Sequence, residues 1–139
     1  MDEELVEILA REIPRNGLTG ALGFELVSLD ENGCTLRMTV SERHLNLKRV
    51  VHGGALAALC DAALGLAFVP IVRVRGMVTA TSSLTVEFIA KVPAETPELR
   101  ASGRVLRAGT STGFGEAEVY AADKLVAKAL GTVAMVPFE

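Results

Sequence analysis

The residues that could do chemistry are gathered in one short stretch. Asn46, His52, Gly53 and Gly54 lead into a run from Gly53 to Val69 whose only charged residue is Asp61. Two glycines at the start of a helical run leave backbone N–H groups without intrahelical acceptors and place no side chain between them and a ligand. With the positive end of the helix dipole behind them, such donors suit a carbonyl oxygen on its way to becoming an oxyanion. A carboxylate inside an apolar run must be paired, hydrated or used, because desolvating it alone is costly. Together these groups point to acyl transfer, with a polarised carbonyl attacked by the carboxylate or by water. The plainer readings are a glycine-rich helix start and an Asp that caps another helix or bonds a loop amide.

Spacing adds a constraint. Gly53 and Asp61 are eight positions apart, about 12 Å along a helix axis. One small carbonyl cannot touch both within one chain. If they act together, Gly53 of one subunit meets Asp61 of another across a two-fold axis, which predicts a homodimer or a dimer of dimers.

The elements that must hold these residues are legible as changes of period. Leu5, Ile8, Leu9 and Ile13 predict a short helix over 2–13, stopped by Pro14. Residues 23–40 alternate around the turn-forming Asp30-Glu31-Asn32-Gly33 and read as a hairpin. A polar, basic loop, 41–51, follows. Gly53–Val69 is rich in Ala and Leu, which favours a helix, and a helix apolar nearly all round should be buried nearly all round. Four strands follow: Met77–Val92, Leu99–Arg107, Thr112–Ala121 and Leu125–Val136. In the first of these, strict alternation puts Thr81 and Ser83 on one face. The order α-β-β-α-β-β-β-β, with short connections, predicts an α+β domain in which a curved antiparallel sheet wraps one long buried helix.

Composition excludes other classes. The 139 residues are 50% hydrophobic and 22% charged, enough for one domain with a proper core and unlike a disordered chain. A net charge of -3 and 4% aromatics argue against a nucleic-acid partner or an anionic membrane surface. Cys34 and Cys60 have no ligand-spaced neighbours, and with only His44 and His52 available no metal site is expected. Both thiols read as small buried hydrophobes in a reducing, cytoplasmic setting. The N-terminus is acidic where a targeting sequence would be basic, and Gly53–Val69 is shorter than a bilayer span, so a soluble protein without a membrane partner is expected. There is no P-loop or GxGxxG fingerprint.

With these residues in view, the stretch resembles the hotdog-fold acyl-CoA thioesterases of the phenylacetate-degradation (PaaI-like) type. Their motif runs Asn, a short spacer, His-Gly-Gly, then Asp nine residues after the His; here these are Asn46, His52, Gly53, Gly54 and Asp61. The run from Thr81 to Phe88 looks like the family's long strand after the helix, and the similarity covers about residues 20–136, with residues 1–20 as an N-terminal helix and linker. The resemblance implies a thioester hydrolase with no cofactor beyond the coenzyme A of its substrate. It implies that the Gly53 amide polarises the carbonyl and that Asp61 of the partner chain is nucleophile or general base. His52 and Asn46 would orient the reacting groups, Thr81, Ser83 and Gly54 would line the substrate, and Arg107 would meet the phosphates of coenzyme A. The acyl channel is expected between subunits, near Leu59, Leu66 and Phe68. Two departures stand out: Arg49 where the family carries Gly, which questions the course of the loop, and a displaced Pro93. The competing readings are a non-catalytic acyl-CoA binding module, a hotdog enzyme acting on acyl carrier protein, and an unrelated α+β scaffold in which Asp61 is structural.

Overall fold

A computed structural model describes residues 2–138. The chain begins with helix α1 (Glu3–Glu12), capped by the Asp2 carboxylate, which accepts from Leu5 N–H at 3.2 Å. Pro14 sits in the 3-10 turn Ile13–Arg15 that ends it. A second short helix, α2 (Gly17–Leu22), ends at Gly23 in the left-handed conformation, φ 74°. From sequence this segment reads only as a linker, because six residues containing two glycines carry no readable helical period.

Strands β1 (Phe24–Asp30) and β2 (Gly33–Thr39) form the expected hairpin, and Asp30 Oδ1 accepts from Asn32 N–H at 2.7 Å in the turn. After the loop come α3 (Gly53–Ala67) and α4 (Val69–Val74), then β3 (Met77–Phe88), β4 (Glu98–Ala108), β5 (Thr112–Ala121) and β6 (Lys124–Pro137). The strands make one antiparallel sheet in the order β1-β2-β4-β5-β6-β3. The chain therefore leaves β2, passes along α3 to the far edge for β3, and returns to place β4 beside β2. The sheet curves around α3. Leu56, Leu59, Cys60, Ala63 and Leu64 of the helix are buried against Leu36, Met38, Leu99 and Val119 of the strands. Gly103 in β4 is where the helix lies closest, since a Cβ there would collide with the Ala63 carbonyl.

Four expectations need correction. The apolar helix runs on through α4, and Gly53–Val74, 22 residues, is long and apolar enough to cross a membrane by length and composition; half of its apolar window is instead buried inside the fold. Length therefore does not exclude a span, and the wrapping sheet is what makes this a core helix. Next, α3 is not covered all round: Ala58, Ala62, Gly65 and Leu66 are only half-buried and Asp61 is exposed, all on one face. Third, β3 ends at Phe88 rather than Val92, because the Ile89 and Ala90 amides both turn to the Val126 carbonyl. Finally, Leu59 and Phe68, expected beside an intersubunit channel, are fully buried in the core.

Candidate active site

The site grows from the way α3 begins. His52 is its N-cap, in extended backbone, and its Nδ1 accepts from Gly54 N–H at 2.7 Å. That bond requires an unprotonated Nδ1, so the ring proton lies on Nε2. The His52 carbonyl accepts from Ala55 N–H at 2.9 Å and Leu56 N–H at 3.3 Å. Of the first-turn donors, Gly53 N–H is left without an acceptor among the described residues. Gly54 was expected to line the substrate, but its amide is already taken by the cap. Gly53 keeps the role of free donor.

The loop before the helix is held by two side chains. Asn46 Oδ1 accepts from Lys48 N–H at 2.9 Å and Val50 N–H at 3.3 Å, so its carbonyl end is spent on shaping residues 46–50. Buried His44 binds the Leu22 carbonyl through Nε2 at 2.7 Å and accepts from Ser41 N–H at 3.0 Å, while its own carbonyl accepts from His52 N–H at 2.7 Å. His44 thus ties α2 to the start of α3, a positioning role that its lone place in a polar loop does not announce. Arg49 answers the question raised by its departure from Gly. Its φ is 60°, the left-handed conformation glycine favours, and the Glu42 carboxylate grips its guanidinium at 2.6 and 3.1 Å. That side-chain bond holds the Glu42 carboxyl below the usual range.

Asp61 lies two turns further along α3, on the uncovered face. Thr81 Oγ1 in β3 donates to its Oδ1 at 2.8 Å, fixing the carboxylate's aim. The structure thus brings Thr81 and Asp61 together, but not Ser83. A β-bulge at Ser82 shifts the β3–β6 register between Thr81 and Ser83. Thr81 faces α3 before the bulge, and Leu84, packed against the core, faces it afterwards. Strict alternation put Thr81 and Ser83 on one face; one extra residue reverses that. The same reversal brings Phe88, which the sequence reading did not single out, beside Gly53, with its ring 3.3 Å from where a Cβ on Gly53 would stand. Arg107 pairs with exposed Phe114 on the sheet's outer face, away from α3, and is not gathered with the others within one chain.

Beside Asp61 a groove of about 460 Å³ runs along α3, between α2 and β3. Leu66 is the one residue of the expected channel that lines it. Among the described residues no cluster of His, Cys, Asp or Glu could hold a metal ion. Chemically, the arrangement offers a free amide donor, an oriented carboxylate and an apolar trough beside it.

Comparison with known proteins gives the chain's family and fold relatives. Residues 49–128 match the family model described as Thioesterase superfamily. The acyl-coenzyme A thioesterase PaaI of Escherichia coli K12 is 31% identical over 99 residues, which are 71% of this chain and 67% of that one. A conserved protein of Pseudomonas aeruginosa superimposes with a TM-score of 0.83 at 35% identity, covering 91% of this chain and 99% of its own. A variant of the phenylacetic acid degradation protein PaaI from Thermus thermophilus gives 0.77 at 28% identity, over 86% of this chain and 98% of its own.

Proposed function

The chain belongs to the thioesterase superfamily, with the hotdog architecture and PaaI-like relatives, and from that premise we propose that it hydrolyses an acyl- or aryl-acetyl-CoA to the free acid and coenzyme A. A thioester is already activated, so a placed carboxylate and an oxyanion donor suffice without a catalytic triad. The Gly53 amide takes the carbonyl oxygen, and the His52 Nε2–H is a second donor beside it. Asp61 either attacks the carbonyl carbon, forming a mixed anhydride that a water then hydrolyses to the free acid and the restored carboxylate, or removes the proton from a water that attacks the carbon directly. In either case the carbon–sulfur bond breaks, and the coenzyme A thiolate leaves and takes up a proton.

The observation that carries this reading is the pairing of Thr81 with Asp61 on an otherwise apolar, uncovered helix face. A carboxylate whose aim is fixed by Thr81, and with which no cation among the described residues pairs, is set up to meet something else. The same face supports a homodimer. Gly53 and Asp61 lie about 12 Å apart along one helix, and β3, 12 residues long, is a sheet edge with no partner strand on its outer side. Pairing of two β3 edges would bring two α3 helices together and join Gly53 of one protomer to Asp61 of the other. The free, buried thiols Cys34 and Cys60 favour a cytoplasmic setting.

The test is thiol release from a panel of acyl-CoA substrates by the wild type and by Asp61→Asn, which keeps the shape and the contact with Thr81 but removes the basicity. We expect wild-type turnover and a loss of about 10²–10⁴-fold in kcat for the variant, with its fold and assembly unchanged. Tight binding of acyl-CoA without hydrolysis by the wild type would instead make the protein a binding module. A strong preference for acyl carrier protein would move the substrate to that carrier.

A further inference from the structure

We propose that the groove between α2, α3 and β3 holds the apolar tail of the acyl group and that Gly65 sets the tail length it accepts, with a medium chain of about eight to ten carbons as the preferred substrate. The inference rests on the reading of Asp61 as the carbonyl end of the site, and it adds where the tail goes.

The groove begins at the reacting centre. Asp61 and Thr81 line one end, and from there it follows α3 past Ala62 and Gly65 to Val69. Asp61, Ala62, Gly65 and Val69 fall on one helical face at successive spacings of one, three and four residues, so one continuous trough runs beneath them. Its opposite wall is Ile13, Leu18 and Phe24 from the N-terminal segment. Among the described residues that line the groove, Asp61 alone is charged. This suits a hydrocarbon and not a nucleotide, whose phosphates would need basic partners. The volume, about 460 Å³, is in the range of small-molecule sites.

Gly65 is the informative residue, because neither usual reason for a glycine applies to it. Its φ is not positive, and a Cβ added to it would meet nothing within 4 Å. Gly103 is the contrast, since there the packing forbids a side chain. Glycine is among the poorest helix formers, so at position 65 local structure and packing within the chain would both accept alanine or leucine. What the missing side chain provides is open space in the trough, one helical turn beyond Asp61.

Length follows from geometry. Asp61 to Val69 is eight residues, about 12 Å of helix. An extended chain advances about 1.2 Å per covalent bond, a third of the rise of an extended residue. The trough therefore accommodates about ten bonds beyond the carbonyl end, or a shorter tail carrying an aromatic ring. A leucine at position 65, one turn from Asp61, would block it after about five bonds.

The experiment compares the wild type, Gly65→Ala and Gly65→Leu on acetyl-, butyryl-, hexanoyl-, octanoyl- and decanoyl-CoA. The mass of each assembly and binding of a non-hydrolysable decanoyl-CoA thioether are measured in parallel. We expect the wild type to favour octanoyl- and decanoyl-CoA. Gly65→Leu should lose at least tenfold in kcat/KM on these two while staying within about twofold on butyryl-CoA, with Gly65→Ala between. Equal losses on every chain length, or a changed assembly mass, would make Gly65 a packing residue and overturn the proposal while leaving the thioesterase reading intact. If no thioester is hydrolysed, but the thioether binds and Gly65→Leu weakens it at least tenfold, the groove stands and the hydrolase reading falls. Binding unaffected by Gly65→Leu overturns the groove.

Discussion

In the proposed reaction Asp61 and Gly53 supply the little chemistry that a thioester needs from a protein, and the way both are presented is set by their neighbours. Asp61 is legible in the sequence as the lone charge of an apolar run, and Thr81 as a hydroxyl on the strand that follows; their 2.8 Å contact joins them. The capping of Gly54 by His52, which leaves Gly53 N–H as the free donor, was not legible, because which amide a cap consumes depends on a side-chain torsion and not on residue type. Ser83 was misplaced for a similar reason: nothing in Thr81-Ser82-Ser83 announces that the middle residue is extra. The two cysteines behave as their apolar neighbourhoods predict. Burial pushes the Cys34 thiol up to about 12 and the Cys60 thiol up to about 11, the nearby Asp61 charge adding to the latter. A thiol whose folded pKa exceeds its ordinary value of 9.0 contributes stability that is full below pH 9 and is lost as pH rises through the folded value. Stability to urea should therefore fall from pH 9 upward through about 11 and 12. Cys34→Ala should show a shallower fall than the wild type. Identical alkaline slopes in the two proteins would remove Cys34 as the cause.

At the scale of elements, the contact between α3 and the sheet is decided by where side chains are absent. Gly103 lets the helix backbone lie on β4 at the Ala63 carbonyl, and Gly113 and Gly115 leave room for the Phe68 ring. Period and composition made these strands and this helix legible. They could not say which glycine meets the helix, since that needs the register of β4 against α3. Nor could they show α2, whose end is fixed by a positive-φ Gly23 and by His44 reaching back to Leu22. The two kinds of glycine should separate in denaturation. Gly103→Ala forces backbone apart and should cost about 1–3 kcal/mol, read as a lower urea midpoint at unchanged m. Gly65→Ala, with open space around it, should be neutral or stabilising by about 0.4–1 kcal/mol in the same measurement. Equal destabilisation by both would contradict the open groove.

At the scale of the molecule, the fold leaves unfinished what a second copy would complete. One face of α3 is uncovered, the β3 edge is unpaired, and the free amide and the aimed carboxylate sit too far apart along one helix to share a carbonyl. This much was legible in the eight-residue spacing of Gly53 and Asp61; the structure adds the open edge beside them. The most direct test is complementation between two inactive variants. Asp61→Asn removes the carboxylate. Gly53→Pro removes the amide donor at the first helical position, where proline is tolerated and where an added Cβ meets the half-exposed Phe88 ring. Each variant alone should be nearly inactive. When the two are unfolded together and refolded as a mixture, half of randomly formed dimers contain one of each, with one doubly damaged site and one intact site. The account predicts recovery of about a quarter of wild-type activity per chain. Mixed dimers that form but stay as inactive as their parents would show that Gly53 and Asp61 do not meet across the interface.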